Sequence, residues 1–164
     1  MSARLRPYLP TDAAGLADVF RTSVEILAED DYSDAQREAW AALADDVDAF
    51  RDWLGGMLTL VVEGEDGLLG FGALEDNTMI ALLYVRPDYA RRGVATLICD
   101  ALEKLAAARG TTLITTDASD TSQPFFDKRG YRASQRNTVM RNGEWLANTT
   151  MQKPLEPLPG RGKA

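Results

Sequence analysis

The most informative part of the chain reads LLYVRPDYARRGVAT, at residues 82–96. Its apolar start predicts a buried strand, and the small and apolar residues from Gly93 onward predict the opening of a long helix. The first amides of a helix have no intrahelical partner, and the helix dipole adds partial positive charge at that end. Gly93 and Ala95 let a phosphate approach the backbone closely, while Arg91 and Arg92 add full charges beside it. The stretch therefore indicates a pyrophosphate site at a helix N-terminus, although its spacing alone also fits an ordinary helix start with solvated arginines.

The residues before this stretch predict one edge strand, three helices and a meander of three strands. Helical spacing of apolar residues and a capping box between Ser33 and Gln36 support the helices. The predicted elements are a strand over 4–8, helices over 12–29, 33–40 and 47–54, and strands over 58–62, 68–74 and 79–85. The three meander strands are joined by short turns, so they are expected to run antiparallel. The glycine run at 67–72 has the wrong order for a dinucleotide motif and is assigned to a turn and a strand.

The residues after the stretch predict a crossover and a closing hairpin. A helix over 92–109 ends at Gly110, and an apolar strand over 113–116 follows, which gives one parallel βαβ unit. A short helix over 121–129 leads to strands over 131–140 and 144–151, turned by Asn142 and Gly143. The predicted fold class is α/β (or α+β), with a mixed, mostly antiparallel sheet of about seven strands flanked by helices.

Composition excludes several kinds of chemistry. The chain has 164 residues, no His and a single Cys, Cys99. Without His there is no Ser-His-Asp or Cys-His machinery and no zinc site built on imidazole, and we expect no metal. A single Cys forms no intrachain disulfide, and Cys99 is expected to pack within the long helix. The net charge of −7 argues against a nucleic-acid partner.

The start of the chain and its hydropathy predict a cytoplasmic location. The opening MSARLRP lacks the apolar core of a signal peptide, and no apolar run approaches the roughly 20 residues needed to span a bilayer. We expect a single domain over 1–153 with no membrane partner, followed by a disordered tail over 154–164. Exposed edge strands also permit a homodimer through edge pairing.

Two blocks of sequence resemble the GNAT superfamily of N-acetyltransferases. The residues ARRGVA at 90–95, preceded by YVRP, are similar to the family signature Q/R-x-x-G-x-G/A. Ala90 stands where Gln or Arg is usual. Since the family's pyrophosphate contacts are mainly backbone amides, we expect this difference to weaken the pyrophosphate site only modestly. The residues SDTSQPFFDKRGY at 119–131 are similar in spacing to N-x-x-A-x-x-L/F-Y-x-x-x-G-F/Y, with Phe126 in place of Tyr.

The resemblance implies acetyl-CoA as cosubstrate, bound where the parallel strands 79–85 and 113–116 splay apart. Pantetheine is expected to pair with the backbone of Leu83 and Val85, and the pyrophosphate to lie on the amides of 91–96. The cofactor-binding residues implied are Leu83, Tyr84, Val85, Arg91, Arg92, Gly93, Val94, Ala95, Thr96, Ser119, Phe125 and Phe126.

The resemblance also implies direct attack of a neutral amine on the thioester, with the backbone N–H of Leu83 as the oxyanion donor. The family's frequent general acid is the Tyr that Phe126 replaces here, which leaves three interpretations. The thiolate leaves unassisted; another hydroxyl, from Ser122 or Tyr131, serves; or an acyl-CoA is bound without transfer.

Candidates for the base come from the first two helices, which usually supply the acceptor side of the cleft. Glu25 lies between Val24 and Ile26 and could reach the cleft, or it could be a solvated helix carboxylate. Tyr32 lies at the break between the helices and could line a pocket or anchor the loop.

We therefore predict an acetyl-CoA-dependent N-acetyltransferase for a primary amine of a small molecule or a peptide. The alternatives are a non-catalytic acyl-CoA sensor on the same fold and an interaction module that uses the sheet edges. The sequence does not rank acceptor amines, and it leaves open whether the acyl group is acetyl or longer.

Overall fold

The computed structural model describes residues 2–156, which form five α-helices, three short 3₁₀ helices and a seven-stranded sheet. The helices are α1 (Ala13–Leu27), α2 (Asp34–Ala41), α3 (Val47–Gly55), α4 (Val94–Ala108) and α5 (Gln123–Lys128). The strands are β1 (Ala3–Pro7), β2 (Leu58–Gly64), β3 (Gly67–Glu75), β4 (Met79–Val85), β5 (Leu113–Ser119), β6 (Arg132–Arg141) and β7 (Glu144–Pro154). Within this part of the chain no helix is both long and apolar enough to cross a bilayer.

The sheet has the order β1-β2-β3-β4-β5-β7-β6. β4 and β5 are parallel and connected by α4, while all other neighbouring strands pair antiparallel. The mixed, mostly antiparallel sheet with one parallel βαβ unit is thus confirmed. β7 lies between β5 and β6. The second strand of the closing hairpin therefore pairs with the rest of the sheet, and its first strand, β6, forms the edge.

Two apolar cores lie on opposite faces of the sheet. On one face, α1 and α3 pack through Leu16, Phe20 and Phe50 against Phe71 of β3. On the other face, α4 and α5 cover the sheet with a second set of buried residues, which includes Val94, Ile98, Leu102, Ile114, Phe126 and Met151. Each helix therefore buries one apolar stripe, as the helical spacing predicts.

α4 packs unusually close to β3 because a glycine faces it. A Cβ built on Gly72 would lie 2.5 Å from Cγ2 of Ile98, which is nearer than carbon atoms can approach. The glycine run at 67–72 is thus the start of β3, as predicted, and its small residues admit the helix.

Several predicted boundaries are confirmed by the local geometry. Ser33 caps α2 and forms the predicted capping box with Gln36. Asn142 and Gly143 both adopt positive φ, of 45° and 86°, in the turn of the β6–β7 hairpin. A two-residue hairpin turn favours positive φ at both of its central residues.

The predicted end of the domain at 153 is too early. Pro154 is the last residue of β7, and the backbone N–H of Leu155 donates to the carbonyl of Thr112 at 2.8 Å. The rest of the predicted tail, from 157 to 164, lies outside the described residues.

Candidate active site

A gap opens in the sheet between β4 and β5. The two strands pair only at Met79 with Thr115 and at Ile80 with Thr116. A β-bulge follows at Ala81, where β4 carries one residue more than β3, and β4 then continues along β3 as far as Val85. The carboxyl-terminal half of β4 therefore has no strand on its β5 side in the described part of the chain.

The backbone of Leu83 and Val85 faces this gap. The N–H of Arg86 donates to the carbonyl of Leu69 on β3 at 2.8 Å. Since backbone groups alternate sides along a strand, the N–H and C=O of Tyr84 also face β3, and those of Leu83 and Val85 face away from it. The structure thus leaves a short open strand edge at the position where the sequence predicts pantetheine and the oxyanion donor.

The loop before α4 presents a row of free amides. Arg91 and Gly93 adopt positive φ, of 62° and 89°. The N–H groups of residues 91–96 have no acceptor among residues 2–156, and the first helical bond from this loop runs from Leu97 to the carbonyl of Gly93, at 3.0 Å. Apart from its two chain neighbours, no described residue comes within 4 Å of a Cβ built on Gly93, so the amides are open from that side. Such a concave run of N–H groups at a helix start is suited to a phosphate.

Two arginines flank these amides. Arg91 and Arg92 are both exposed and form no ion pair with any residue between 2 and 156. The guanidinium of Arg92 lies 4.7 Å from the centre of the Tyr89 ring. Their charges are therefore available to an anion on the amides.

The far side of the gap is formed by the end of β5 and the start of α5. The N–H of Ser122 donates to Oγ of Ser119 at 3.1 Å, and the two hydroxyls lie 3.1 Å apart. Phe125 is half-buried, whereas Phe126 is only 2% exposed and packs 5.0 Å from the ring of Tyr131. The structure thus places the serines and Phe125 at the wall, with Phe126 set deeper, in the core.

Tyr131 is directed away from the gap. Its hydroxyl donates to Glu103 of α4 at 2.8 Å, and burial together with this carboxylate raises the pKa of Tyr131 above its ordinary value. Of the two hydroxyls proposed to assist the leaving thiolate, Ser122 is therefore the one at the wall.

Tyr84 is not on the cofactor side of the sheet. The bulge at Ala81 shifts the alternation, so Leu83 and Val85 pack on the α4 face and Tyr84 on the opposite face. Its ring lies 4.5 Å from that of Phe20, and its hydroxyl accepts from Nε1 of Trp40 at 3.2 Å. The side chain of Tyr84, a predicted cofactor-binding residue, therefore lies on the face opposite to those of Leu83 and Val85.

Tyr32 is used to join loops. Its hydroxyl donates to the carbonyl of Ala147 at 2.6 Å and accepts from the N–H of Asp120 at 2.9 Å. Burial raises the pKa of Tyr32, so the phenol stays protonated at neutral pH. Of the two interpretations of Tyr32, the lining of a pocket and the anchoring of the loop, these hydrogen bonds support the anchor.

Glu25 is not brought to the gap. It follows Asp18 by seven residues and Arg21 by four, so it shares the outer stripe of α1, while Phe20 and Val24 face the core. Its side chain is exposed and lines a surface groove between α1 and α2 with Arg37 and Glu38. This position agrees with the solvated helix carboxylate, the other interpretation of Glu25, and the role of a base stays a prediction.

Two features of the site were not predicted from the sequence. One is the contact of Trp40 with Tyr84, which no local pattern indicates. The other is Tyr89, whose ring lies between Arg86 and Arg92, at 5.2 and 4.7 Å from their guanidinium carbons. The placement of Tyr89 three residues from each arginine is a signal that could have found it.

The single cysteine and the clusters of potential metal ligands were the other candidate features of the sequence. Cys99 is fully buried in α4, and burial raises its pKa to about 12, so the predicted packing role is confirmed. Between residues 2 and 156, no cluster of three or more His, Cys, Asp or Glu side chains could hold a metal ion.

A parallel strand pair that splays beside a helix start with free amides defines a class of α/β proteins suited to an extended, phosphate-bearing ligand. Comparison with known proteins gives the family. A family model described as an acetyltransferase (GNAT) domain matches residues 28–155. The chain therefore belongs to the GNAT acetyltransferases and is an acyltransferase by family, as the two sequence blocks indicate.

Individual relatives agree with this assignment. The chain is 30% identical over 149 residues to an uncharacterized N-acetyltransferase, YafP, of Escherichia coli. The aligned region covers 91% of this chain and 94% of that protein. It is 54% identical to a GCN5-related N-acetyltransferase from Rhodopseudomonas palustris, with a TM-score of 0.92 over 94% of this chain and 97% of that one. The PaiA N-acetyltransferase of Thermoplasma acidophilum, solved with coenzyme A, shares the fold at 19% identity, with a TM-score of 0.70 over 94% of this chain and 99% of that one.

Proposed function

We propose that the protein transfers an acetyl group from acetyl-CoA to a primary amine of a small molecule or a peptide by direct attack. One observation carries the proposal: the open edge of β4 and the free amides before α4 are joined by a single short loop. A pantetheine amide and a pyrophosphate, linked in one molecule, match these two features in chemistry and in order.

The cosubstrate site is assigned to residues on the α4 face. Leu83 and Val85 pair with pantetheine as an added strand, and the N–H groups of 91–96 hold the pyrophosphate, with Arg91 and Arg92 adding charge. Ser119 and Phe125 close the other side. The PaiA complex supports this assignment, since that protein shares the fold and binds coenzyme A.

The chemistry requires an oxyanion donor and a neutral amine. The amine nitrogen forms a bond to the thioester carbonyl carbon, the C–S bond breaks, and the thiolate leaves with its electron pair. The N–H of Leu83 donates to the carbonyl oxygen as negative charge develops on it. Because Glu25 is exposed on the outer stripe of α1 and burial raises the pKa of Tyr32, we assign the proton of the attacking amine to water.

The acceptor side is assigned to the opposite face, where Tyr84, Trp40 and Tyr32 form a continuous aromatic wall. The Tyr32 and Trp40 rings lie 5.3 Å apart, and those of Trp40 and Tyr84 lie 6.4 Å apart. Burial raises the pKa of Tyr84 to about 12, so its hydroxyl is a hydrogen-bond donor at neutral pH and not a base.

The absence of a hydroxyl at Phe126 gives the sensor hypothesis its one specific support. The thiolate then leaves unassisted or with the help of Ser122, and coenzyme A thiols are acidic enough for either. A cytoplasmic location and a homodimer stay predictions of the sequence.

Acetyl-CoA titration combined with a thiol-release assay tests the proposal. A panel of amines is offered as acceptor, and free thiol is read with a chromogenic reagent; buried Cys99 contributes little background. Binding with amine-dependent thiol release supports the transferase. Binding with no release from any amine supports the sensor, and no binding contradicts the site assignment.

A further inference from the structure

The loop before α4 is joined to the β2–β3 turn through Tyr89. The Tyr89 hydroxyl donates to the carboxylate of Asp66 in that turn. Its ring also packs against the α4-side core. One side chain thus connects the core, a turn 23 residues away in sequence and the loop that carries the free amides.

The two arginines that flank the Tyr89 ring differ in how their charge is used. Arg86 donates from Nε and Nη2 to the carboxylate of Asp88, at 3.0 and 2.6 Å, and from Nη1 to the carbonyl of Asp66 at 2.7 Å. Its guanidinium is therefore committed to structural contacts.

Arg92 forms fewer hydrogen bonds than Arg86. Its one hydrogen bond within the described residues is a long one, from Nη1 to the carbonyl of Asp88 at 3.4 Å. It is held mainly by the face of the Tyr89 ring, at 4.7 Å, and it immediately precedes Gly93. A cation that stacks on a ring keeps its outer N–H groups free for a phosphate oxygen.

We propose that Tyr89 is a positioning residue for the cosubstrate: its ring holds the Arg92 guanidinium beside the amides of 91–96, and Asp66 fixes the ring by accepting from its hydroxyl. The inference rests on the proposed function, because it needs a phosphate-bearing cosubstrate on those amides. It assigns the recognition of charge to Arg92 and leaves Arg86 to hold the loop in shape.

A double-mutant cycle tests this role, with acetyl-CoA affinity measured by calorimetry. Arg92→Gln is expected to raise Kd about tenfold, the loss of one charge-assisted phosphate contact. Tyr89→Met keeps an apolar side chain on the core and removes the ring, and it is expected to raise Kd by roughly as much. The double variant is expected to match Arg92→Gln alone, because Tyr89 acts through Arg92. Tyr89→Phe keeps the ring and is expected to stay within about threefold of wild type.

Two controls separate this role from a structural one. Arg109→Gln removes an exposed positive charge at the other end of α4 and is expected to leave Kd unchanged. In the transfer assay, Tyr89→Met is expected to raise KM for acetyl-CoA with kcat unchanged, whereas a general loss of structure lowers kcat as well. Should Tyr89→Met fail to fold, Tyr89→Leu takes its place in the cycle.

Failure of the inference is distinguishable from failure of the proposed function. If wild type binds acetyl-CoA, and Tyr89→Met either binds equally well or adds its full effect to that of Arg92→Gln, the positioning role is wrong and the site stands. If wild type does not bind acetyl-CoA, the proposed function fails, and the inference fails with it.

Discussion

The hydroxyl of Tyr32 accepts a hydrogen bond from the backbone N–H of Asp120 at 2.9 Å, 88 residues further along the chain. It also donates to the carbonyl of Ala147. The loop between α1 and α2 is thereby joined to the end of β5 and to β7. One buried phenol thus connects the proposed acceptor side with the end of β5, which forms the far side of the gap.

Tyr32→Phe is expected to lower the free energy of unfolding by about 1–3 kcal/mol, because it removes two partly buried hydrogen bonds, to the carbonyl of Ala147 and from the N–H of Asp120. Chemical denaturation measures this loss. In the folded variant, kcat at neutral pH is expected to stay within about tenfold of wild type. A loss of kcat of several thousandfold in the folded variant would instead identify Tyr32 as a catalytic residue.

Gly72→Ala is expected to destabilise the protein by about 1–3 kcal/mol, since the added methyl meets Ile98 at 2.5 Å and α4 must move off the sheet. Gly55→Ala is the matched control, because a Cβ on Gly55 meets nothing within 4 Å. Urea denaturation measures the free energy of unfolding of both variants. Equal stabilities would show that the approach of α4 to β3 is not limited by residue 72.

Asp12→Asn is expected to lower stability at neutral pH by about 1–3 kcal/mol, with the loss disappearing in acid. The Arg6 guanidinium donates to both oxygens of Asp12 at 2.9 Å, and Leu9 N–H adds a bond at 2.8 Å; these hold the pKa of Asp12 below its usual value. Because the folded state favours the charged form, this stabilisation is complete above the unfolded pKa of about 3.9 and is lost as pH falls through the folded pKa.

Unfolding curves at pH 7 and at pH 3 measure the difference. Asp48→Asn serves as control, since Asp48 pairs with Arg51 on the surface with 84% of its side chain exposed, and surface pairs add little. A difference between Asp12→Asn and wild type that is the same at both pH values would contradict the ion-pair explanation.

Gly93→Glu is expected to weaken acetyl-CoA binding by more than a hundredfold, because it places a side chain and a negative charge over the free amides. Gly110→Glu is a matched control at the opposite end of α4: Gly110 has φ of 91° against 89° for Gly93, and a Cβ meets nothing within 4 Å at either. Both variants carry the same backbone strain, so only binding should distinguish them. Unchanged affinity in folded Gly93→Glu would refute the phosphate site.

The elements and their order could be predicted because their signals are local. The Ser33 capping box, Gly110 after α4 and the Asn142–Gly143 turn each fix an element boundary within a few residues. The long apolar stripe of α4 between two strands likewise specifies the parallel unit. The free amides could be placed for the same reason, since Gly93 determines where the helix opens.

The catalytic side of the site could not be predicted because it depends on contacts between distant segments. β4 is apolar along most of its length, so its sequence does not reveal the bulge at Ala81 that turns Tyr84 to the other face. The hydroxyl of Tyr32 finds partners 88 and 115 residues away, which no spacing indicates. Glu25 differs, since its spacing from Asp18 and Arg21 already places it on the outer stripe of α1.

Calorimetric titration of the full chain with acetyl-CoA, run beside the thiol-release assay, shows whether the open edge of β4 and the free amides before α4 form a cosubstrate site. One site per chain is expected, weakened more than a hundredfold by Gly93→Glu and retained by Gly110→Glu, with thiol release that depends on an added amine. Absence of binding to wild type, or equal binding by both glycine variants, would contradict it.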